Sequence, residues 1–500
     1  MRTQKCREFG DFQTPLNLTR SIVKFLQVDG VCPSVVIEPT CGTGNFLVAC
    51  AESFGDGTRY YGFDINPERI ESAKRSLSRF GRLQFDLDSD NFYHKDWRSF
   101  FRSLSSDLLI IGNPPWVTNA ALAVMGSDNL PKKSNFQNHA GFAARTGKAN
   151  FDISEWMLIK LLESLSGTAG TLAMLCKTGT ARKVLKFSWQ KGLDISNCSM
   201  HLVDAGQHFG VSADACLLVA HTGGSGKRPV AQVYGDLDFQ NLISTFGLVR
   251  GELVADIDSY ENLRDIDGVE HRKWRSGIKH DASKIMEFKI TGGHYMNGLG
   301  EHCDIEPNYL FPLLKSSDLA NNRLRPSKYI LVTQRNTTDD TSVIMLRAPK
   351  TWNYLLSHST YLDKRASIVY KKRSRFSVFG VGAYTFAPWK VGVSGLYKHI
   401  SFRVVGSSGD KPIVLDDTCY FISCKSYDEA AFLCSLLNSE VSKKFLMSLV
   451  FLDAKRPVTI DILKRIDLKV IAERTGCLEQ AGRYLARKTP EKGTQTILTF

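Results

Sequence analysis

Long apolar runs are scarce in this chain. The run Phe445–Leu452 is far shorter than the about 20 residues needed to span a bilayer. Residues Met1–Glu8 lack the apolar centre of a signal peptide, so a cytoplasmic protein that touches no membrane is expected. Metal-binding spacing is missing too. The 12 cysteines are scattered, with no C-x-x-C pair and no Cys/His cluster at zinc spacing. Reduced thiols and no metal are expected, and Cys41 reads as a small packing residue rather than a nucleophile. There are no internal repeats and no long low-complexity segment, which excludes a repeat array. Phosphate-gripping loops are excluded as well. Leu47 stands where a dinucleotide site has its third glycine, and no Lys-Ser/Thr pair follows. At Gly223–Lys227 the P-loop pattern fails at both ends, with His221 and Arg228 in place of the glycine and the hydroxyl, so a flexible turn is expected.

What is present suits a soluble globular protein with ample core: 500 residues, 43% hydrophobic and 23% charged. The net charge of +13 is unevenly spread. Residues 1–225 hold 24 Lys+Arg against 21 Asp+Glu, whereas residues 226–500 hold 40 against 30. A basic excess concentrated in one half is the footprint of a polyanion binder.

The most informative residues are Asn113-Pro114-Pro115-Trp116, at the end of the apolar run Leu108–Ile111. That run reads as a buried strand of a parallel sheet. Two prolines lack N–H donors and have a fixed φ, so the chain must turn out at the strand's carboxyl end. Open α/β sheets place their ligands there. The turn presents a neutral amide, a backbone carbonyl and an indole face, a set suited to a planar, amino-bearing ring. A similar pattern stands upstream. The strand Val35–Ile37 leads to Glu38, Thr40 and the glycine loop at Gly42 and Gly44, after which Asn45 opens a helix. A carboxylate ahead of a glycine loop favours a ligand bearing an ammonium group. Asp64 ends the strand Tyr60–Phe63, at the spacing where an acidic side chain meets ribose hydroxyls; the competing expectation makes it a helix N-cap. A third strand is expected at Phe92–His94, leading to Asp96. Further on, the pattern predicts a helix over Ile153–Leu165, a strand over Thr171–Leu175, a helix over Thr180–Lys191, and strands near Ser199–Val203 and Ala215–Ala220. The expected architecture is a doubly wound α/β sheet.

In this order the elements resemble the gamma class of S-adenosylmethionine-dependent DNA adenine-N6 methyltransferases. Asp11–Pro15 is similar to their motif X, Glu38–Phe46 to motif I, Asp64 to motif II, Asp96 to motif III, Asn113–Trp116 to the catalytic motif IV and Asn150–Ile153 to motif V. Phe209 falls where motif VIII carries an aromatic. Trp116 departs from the more usual tyrosine or phenylalanine, enlarging the stacking face. The likeness covers residues 8–220 well and reaches more loosely to Phe376–Lys390 and Ser394–Lys398, which look like recognition-domain segments. It implies a Rossmann-like methyltransferase domain over 1–235 and a mixed α+β DNA target-recognition domain over 236–500. The implied cofactor is S-adenosyl-L-methionine, held by Thr14, Pro15, Glu38, Thr40, Gly42, Gly44, Asp64, Asp96 and Asn113. Asn113, Pro114, Pro115 and Trp116 are implied to be catalytic, with Trp116 and Phe209 stacking on a flipped-out adenine.

For the polyanion the expected partner is double-stranded DNA. Lys371, Lys372, Arg373 and Arg375 form the densest basic stretch, together with Lys364 and Arg365. Lys132 and Lys133 follow the catalytic turn in the polar segment Ser127–Lys148. Phosphate contact is the preferred reading of the first stretch, whereas the second segment is read as closing over the flipped base, tracking the DNA backbone or forming a mobile loop. The implied role is the modification half of a restriction–modification system, with a cognate endonuclease as functional partner. RNA adenine or protein glutamine methylation also uses such turns, but the large basic second half and the Thr14-Pro15 element argue against it. A noncatalytic nucleic-acid-binding protein is opposed by the intact glycine loop and Asn113.

Overall fold

The computed structural model describes residues 13–104, 107–117, 152–224, 228–237, 239–269, 272–367, 369–371 and 373–485. The chain divides into two compact units, Met1–Asp258 and Ser259–Phe500.

In the first unit the apolar runs become fully buried strands. These are β1 (Val35–Glu38) and β4 (Leu108–Gly112), flanked by β2 (Arg59–Asp64), β3 (Gln84–Ser89) and β5 (Gly170–Lys177). All five pair in parallel. Next come β6 (Asn197–Asp204), β7 (Asp214–Thr222), β8 (Val230–Tyr234), β9 (Leu242–Val249) and β10 (Glu252–Val254). The ten strands run in the order β10-β9-β8-β6-β7-β5-β4-β1-β2-β3. β7 lies antiparallel between β5 and β6. Crossover helices alternate with the strands: α1 (Leu16–Val28), α2 (Asn45–Phe54), α3 (Pro67–Leu77), α4 (Trp97–Ser103), α5 (Ile153–Leu165) and α6 (Thr178–Gln190). Helices α1 to α3 pack as one series and α4 to α6 as another, the two layers of a doubly wound fold. A short helix, α7 (Ala205–Phe209), follows β6.

Between β1 and β4 the strand order reverses, because β2 and β3 lie on one side of β1 and β4 and β5 on the other. Such a switch point leaves a crevice at the carboxyl ends of the strands, the usual ligand position in open α/β sheets.

Two expectations need correction. The third strand is not Phe92–His94 but Gln84–Ser89, and residues 92–94 form a turn. β3 is the edge strand, half-exposed and alternating, so it carries no continuous apolar run. The expected boundary at 235 falls between β8 and β9, which pair with each other, so the sheet continues through Val254 and the unit closes at Asp258.

The second unit is a mixed α+β body. One sheet has the order β14-β13-β12-β16-β15-β21 and another β11-β22-β17-β18. Their strands are β11 (Arg275–Ser276), β12 (Glu287–Thr291), β13 (His294–Asn297), β14 (His302–Cys303), β15 (Leu310–Leu314), β16 (Lys328–Leu331), β17 (Trp389–Ser394), β18 (Phe402–Val405), β21 (Val414–Leu415) and β22 (Cys419–Cys424), with β19 (Ser407–Ser408) and β20 (Lys411–Pro412) forming a separate ribbon. Only β15 and β21 pair in parallel within these sheets. Among the described residues no helix is long and apolar enough to cross a membrane.

Candidate active site

Three of the expected polar residues reach the switch point because each ends, or directly follows, a central strand. Glu38 ends β1, Asp64 ends the neighbouring β2, and Asn113 follows β4 on the other side. Gly112 makes the exit possible. Its φ of 156° is a conformation that L side chains rarely adopt, and it sits against Glu38 and Met174.

The glycine loop is built from both sides. Gly42 has φ 53°, and its N–H donates to Asp64 Oδ2 at 3.0 Å. Gln13 lies where a Cβ on residue 42 would stand, at 2.6 Å from its Oε1. That oxygen accepts from Thr43 N at 3.1 Å and Thr43 Oγ1 at 3.0 Å. Asn45 Nδ2 donates to the Thr14 carbonyl at 2.8 Å, and Asn113 Nδ2 donates to Thr14 Oγ1 at 3.2 Å. Thr14 therefore ties the glycine loop to the Asn-Pro-Pro turn, and Pro15 opens α1 directly behind it. Asp64 is not a helix cap. Its second oxygen accepts from Asn66 N at 2.8 Å, and Asn66 itself caps α3.

Electrostatically the unusual group is Glu38. It is only 3% exposed, and burial holds its carboxyl well above the ordinary range, with the Asp64 charge adding to the effect despite a hydrogen bond from the Leu47 backbone. Among the described residues Glu38 Oε2 and Thr40 Oγ1 are buried without a hydrogen-bond partner. Buried carboxylates need a cation or a donor, so this corner is fitted to an ammonium-bearing ligand. Cys41 beside it is no nucleophile, because burial and then the Glu38 and Asp64 charges push its thiol up, far from thiolate.

Around the turn, Trp116 and Phe209 come together in the core, 7% and 3% exposed. Their rings meet edge to face, with centroids 5.4 Å apart and planes at 70°. They contact each other rather than facing across a gap, so a base enters between them only if they part. Sequence reasoning missed Lys177, at the end of β5. Its Nζ donates to the Trp116 carbonyl at 3.1 Å and to Asp152 Oδ2 at 2.7 Å. Asp152 also accepts from Ser154 N and Oγ as the cap of α5, and Ile153 N donates to the Val117 carbonyl at 2.8 Å. No motif signals this lysine, since its partners lie 61 and 25 residues away.

Asp96 is not at a strand end. It is exposed and caps α4, accepting from Ser99 N at 3.1 Å and Ser99 Oγ at 2.7 Å. The carboxylate directly after β3 is Asp90, whose N–H donates to the Asp64 carbonyl and whose side chain pairs with Lys95 at 3.1 Å.

The basic residues divide. Lys132, Lys133 and Lys372 lie outside the described residues, as do Asp11, Asn150 and Phe151. Lys371 is exposed, and Arg373 is exposed with one donor on the Thr337 carbonyl at 3.1 Å. Arg375, expected on phosphate, is instead engaged by Asp363 through two bonds of 3.2 and 2.7 Å. Arg365 is buried and donates to the carbonyls of Leu362, His280, Ser377 and Arg375. Its role is to hold the fold.

Known proteins resemble this chain in sequence and in fold. Residues 2–183 match the family model described as N-6 DNA Methylase. The chain is 41% identical over 468 residues to Type II methyltransferase M.NspV of Nostoc sp., covering 93% of this chain and 97% of that one. It is 32% identical over 109 residues to Type II methyltransferase M.CvrRI of Paramecium bursaria Chlorella virus XZ-6E, covering 22% of this chain and 25% of the other. Among solved structures, the Type IIL restriction-modification enzyme MmeI in complex with DNA superposes with a TM-score of 0.54 at 13% identity. That match covers 89% of this chain and 63% of MmeI, and it shows a shared fold. The chain belongs to the type II DNA methyltransferases of the N-6 DNA methylase family, enzymes of restriction–modification systems that methylate adenine N6 with S-adenosyl-L-methionine.

Proposed function

We propose that these residues divide the work as follows. Glu38 holds the ammonium of the cofactor's methionine, beside Thr40, Gly42, Gly44, Thr14 and Pro15. Asp64 takes the ribose hydroxyls. Asp96, at the cap of α4, serves the cofactor's adenine. The cofactor supplies an electrophilic methyl group on a sulfonium. Asn113 Oδ1 and the Pro114 carbonyl accept the two N–H bonds of the target amine. This localises a lone pair otherwise delocalised into the purine and orients it for direct transfer. A neutral amide accepts without placing a full charge beside the sulfonium. Pro115 keeps the turn rigid.

In a duplex N6 is held in the base stack, so the adenine must flip out, at a cost of a few kcal/mol. Trp116 and Phe209 offset that by stacking, about 1–3 kcal/mol per base. Their mutual contact is broken on entry. The second unit is the target-recognition domain, with Lys371 and Arg373 on phosphate; Lys132, Lys133 and Lys372 take the same role. The order of motifs is that of the gamma class. The enzyme works in the cytoplasm, where it protects host DNA from a cognate endonuclease.

One observation carries this reading: Asn113 is bonded to the same threonine that holds the glycine loop. The test is Asn113→Ala. It should lower the rate of adenine methylation about 100- to 1,000-fold, the loss typical of removing one preorganised polar group, while the dissociation constant of S-adenosylmethionine, read by calorimetry, stays within a few-fold. Unchanged methylation of adenine in this variant would sink the assignment.

A further inference from the structure

Many arginines of the second unit are held by carboxylates, and others, Arg335 among them, are not. Arg272, Arg323, Arg375, Arg456, Arg465 and Arg474 each form an ion pair with a carboxylate. Arg335 is exposed, and no carboxylate among the described residues pairs with it. Its guanidinium carbon lies 4.3 Å from the Phe386 ring centre and 5.1 Å from that of Phe311, rings which themselves pack 5.2 Å apart. Cation–π contact fixes the group's place without occupying its N–H edge.

The loop that carries Arg335 follows β16 and is braced at almost every residue. The Gln334 side chain, 6% exposed, accepts from Val378 N at 3.1 Å and donates to the Asn336 carbonyl at 2.7 Å. Asp339 Oδ2 accepts from the backbone N–H groups of Arg335 at 3.0 Å and Asn336 at 2.8 Å. Thr337 Oγ1 donates to the Val381 carbonyl at 3.0 Å, and Arg373 donates to the Thr337 carbonyl at 3.1 Å. The backbone is held from four sides, yet Arg335 and Asn336 remain exposed. A merely solvated loop has no need of such bracing. Preorganised side chains on a rigid support are what specific recognition requires.

We propose that this loop reads the target sequence: Arg335 bonds O6 and N7 of one guanine through its fork, and Asn336 meets an adjacent base edge. The proposal rests on the second unit being the DNA-recognition domain. A guanidinium fork matches the two acceptors that guanine alone presents side by side in the major groove. Asn336 favours a base edge over a phosphate, because it offers both a donor and an acceptor whereas phosphate takes donors only.

The experiment uses the full chain, S-adenosylmethionine and a randomised duplex library, with N6-methyladenine mapped by single-molecule sequencing. Wild type should select a sequence containing an invariant guanine. Arg335→Ala and Arg335→Lys should both lose selection at one G·C position and lower kcat/KM on the selected site about 5- to 150-fold, the worth of one bidentate contact. Replacing that guanine by 7-deazaguanine should impair wild type and leave both variants unaffected. Melting temperature and cofactor affinity should not move. A loss spread evenly over all sequences, with a shallower salt dependence, overturns the proposal in favour of a phosphate contact, and so does unchanged selection. If wild type methylates DNA without selecting any sequence, the recognition-domain premise fails as well.

Discussion

Glu38 is the residue proposed to hold the cofactor's ammonium, and its burial gives it a measurable signature. Its carboxyl titrates well above the ordinary range in the fold, chiefly through desolvation. The native state therefore keeps a proton that the unfolded chain has already released, so stability of the cofactor-free protein falls as pH rises from the ordinary carboxylate range toward the raised value of the folded state. Glu38→Gln removes this liability. The cofactor-free variant should melt higher than wild type at neutral pH, by about 2–4 °C for each kcal/mol recovered, and the gap should close as pH falls below the ordinary carboxylate range. It should also bind S-adenosylmethionine much more weakly, since the ammonium loses its counter-charge. Calorimetric melting across pH, with and without cofactor, reads both. A variant no more stable than wild type at any pH would show that Glu38 has a partner in solution.

At the scale of elements, the junction of β4, β5 and α5 is closed by one lysine. Lys177 joins the Trp116 carbonyl to Asp152, which is 8% exposed and caps α5. Lys177→Met leaves that carboxylate buried without its cation and frees the end of the Asn-Pro-Pro turn. The expected loss is about 1–3 kcal/mol of stability together with an at least 10-fold fall in kcat, KM for DNA changing less. Lys177→Arg should restore most of kcat, since it keeps the charge and two donors. Single-turnover kinetics separate the two effects. Full activity in Lys177→Met would show that the Asn-Pro-Pro turn holds its shape without the clamp.

Across the whole molecule, charge is the property that bears on DNA. The 40 Lys+Arg of residues 226–500 overstate the cations available, because several arginines are already neutralised within the fold. Lys371 is exposed, whereas Arg375 is engaged by Asp363. Lys371→Ala should therefore reduce the slope of log affinity against log salt by about 0.9, the contribution of one phosphate contact. Arg375→Ala should leave the slope nearly unchanged, since it uncovers a carboxylate rather than removing a phosphate contact. Fluorescence anisotropy on a duplex over a salt series distinguishes them, and equal slopes for the two variants would contradict this division.

Much of the first unit can be read from local chemistry alone. Apolar runs too short for helices had to be buried strands, two prolines had to end one of them, and glycines had to follow another. Glu38, Asp64 and Asn113 were therefore placed at strand ends by residue type and spacing. Tertiary structure decided what depends on distant partners. It put the strand at Gln84–Ser89, because an edge strand needs only one buried face and so carries no strong apolar signal. It chose Lys177 to brace the turn, set Arg335 on two rings, gave Arg375 to Asp363 and brought Trp116 against Phe209. The periodicity of a chain reports which face of an element is buried. Which other element covers that face, and which charge meets which, is settled only when segments far apart in sequence compete for the same contacts.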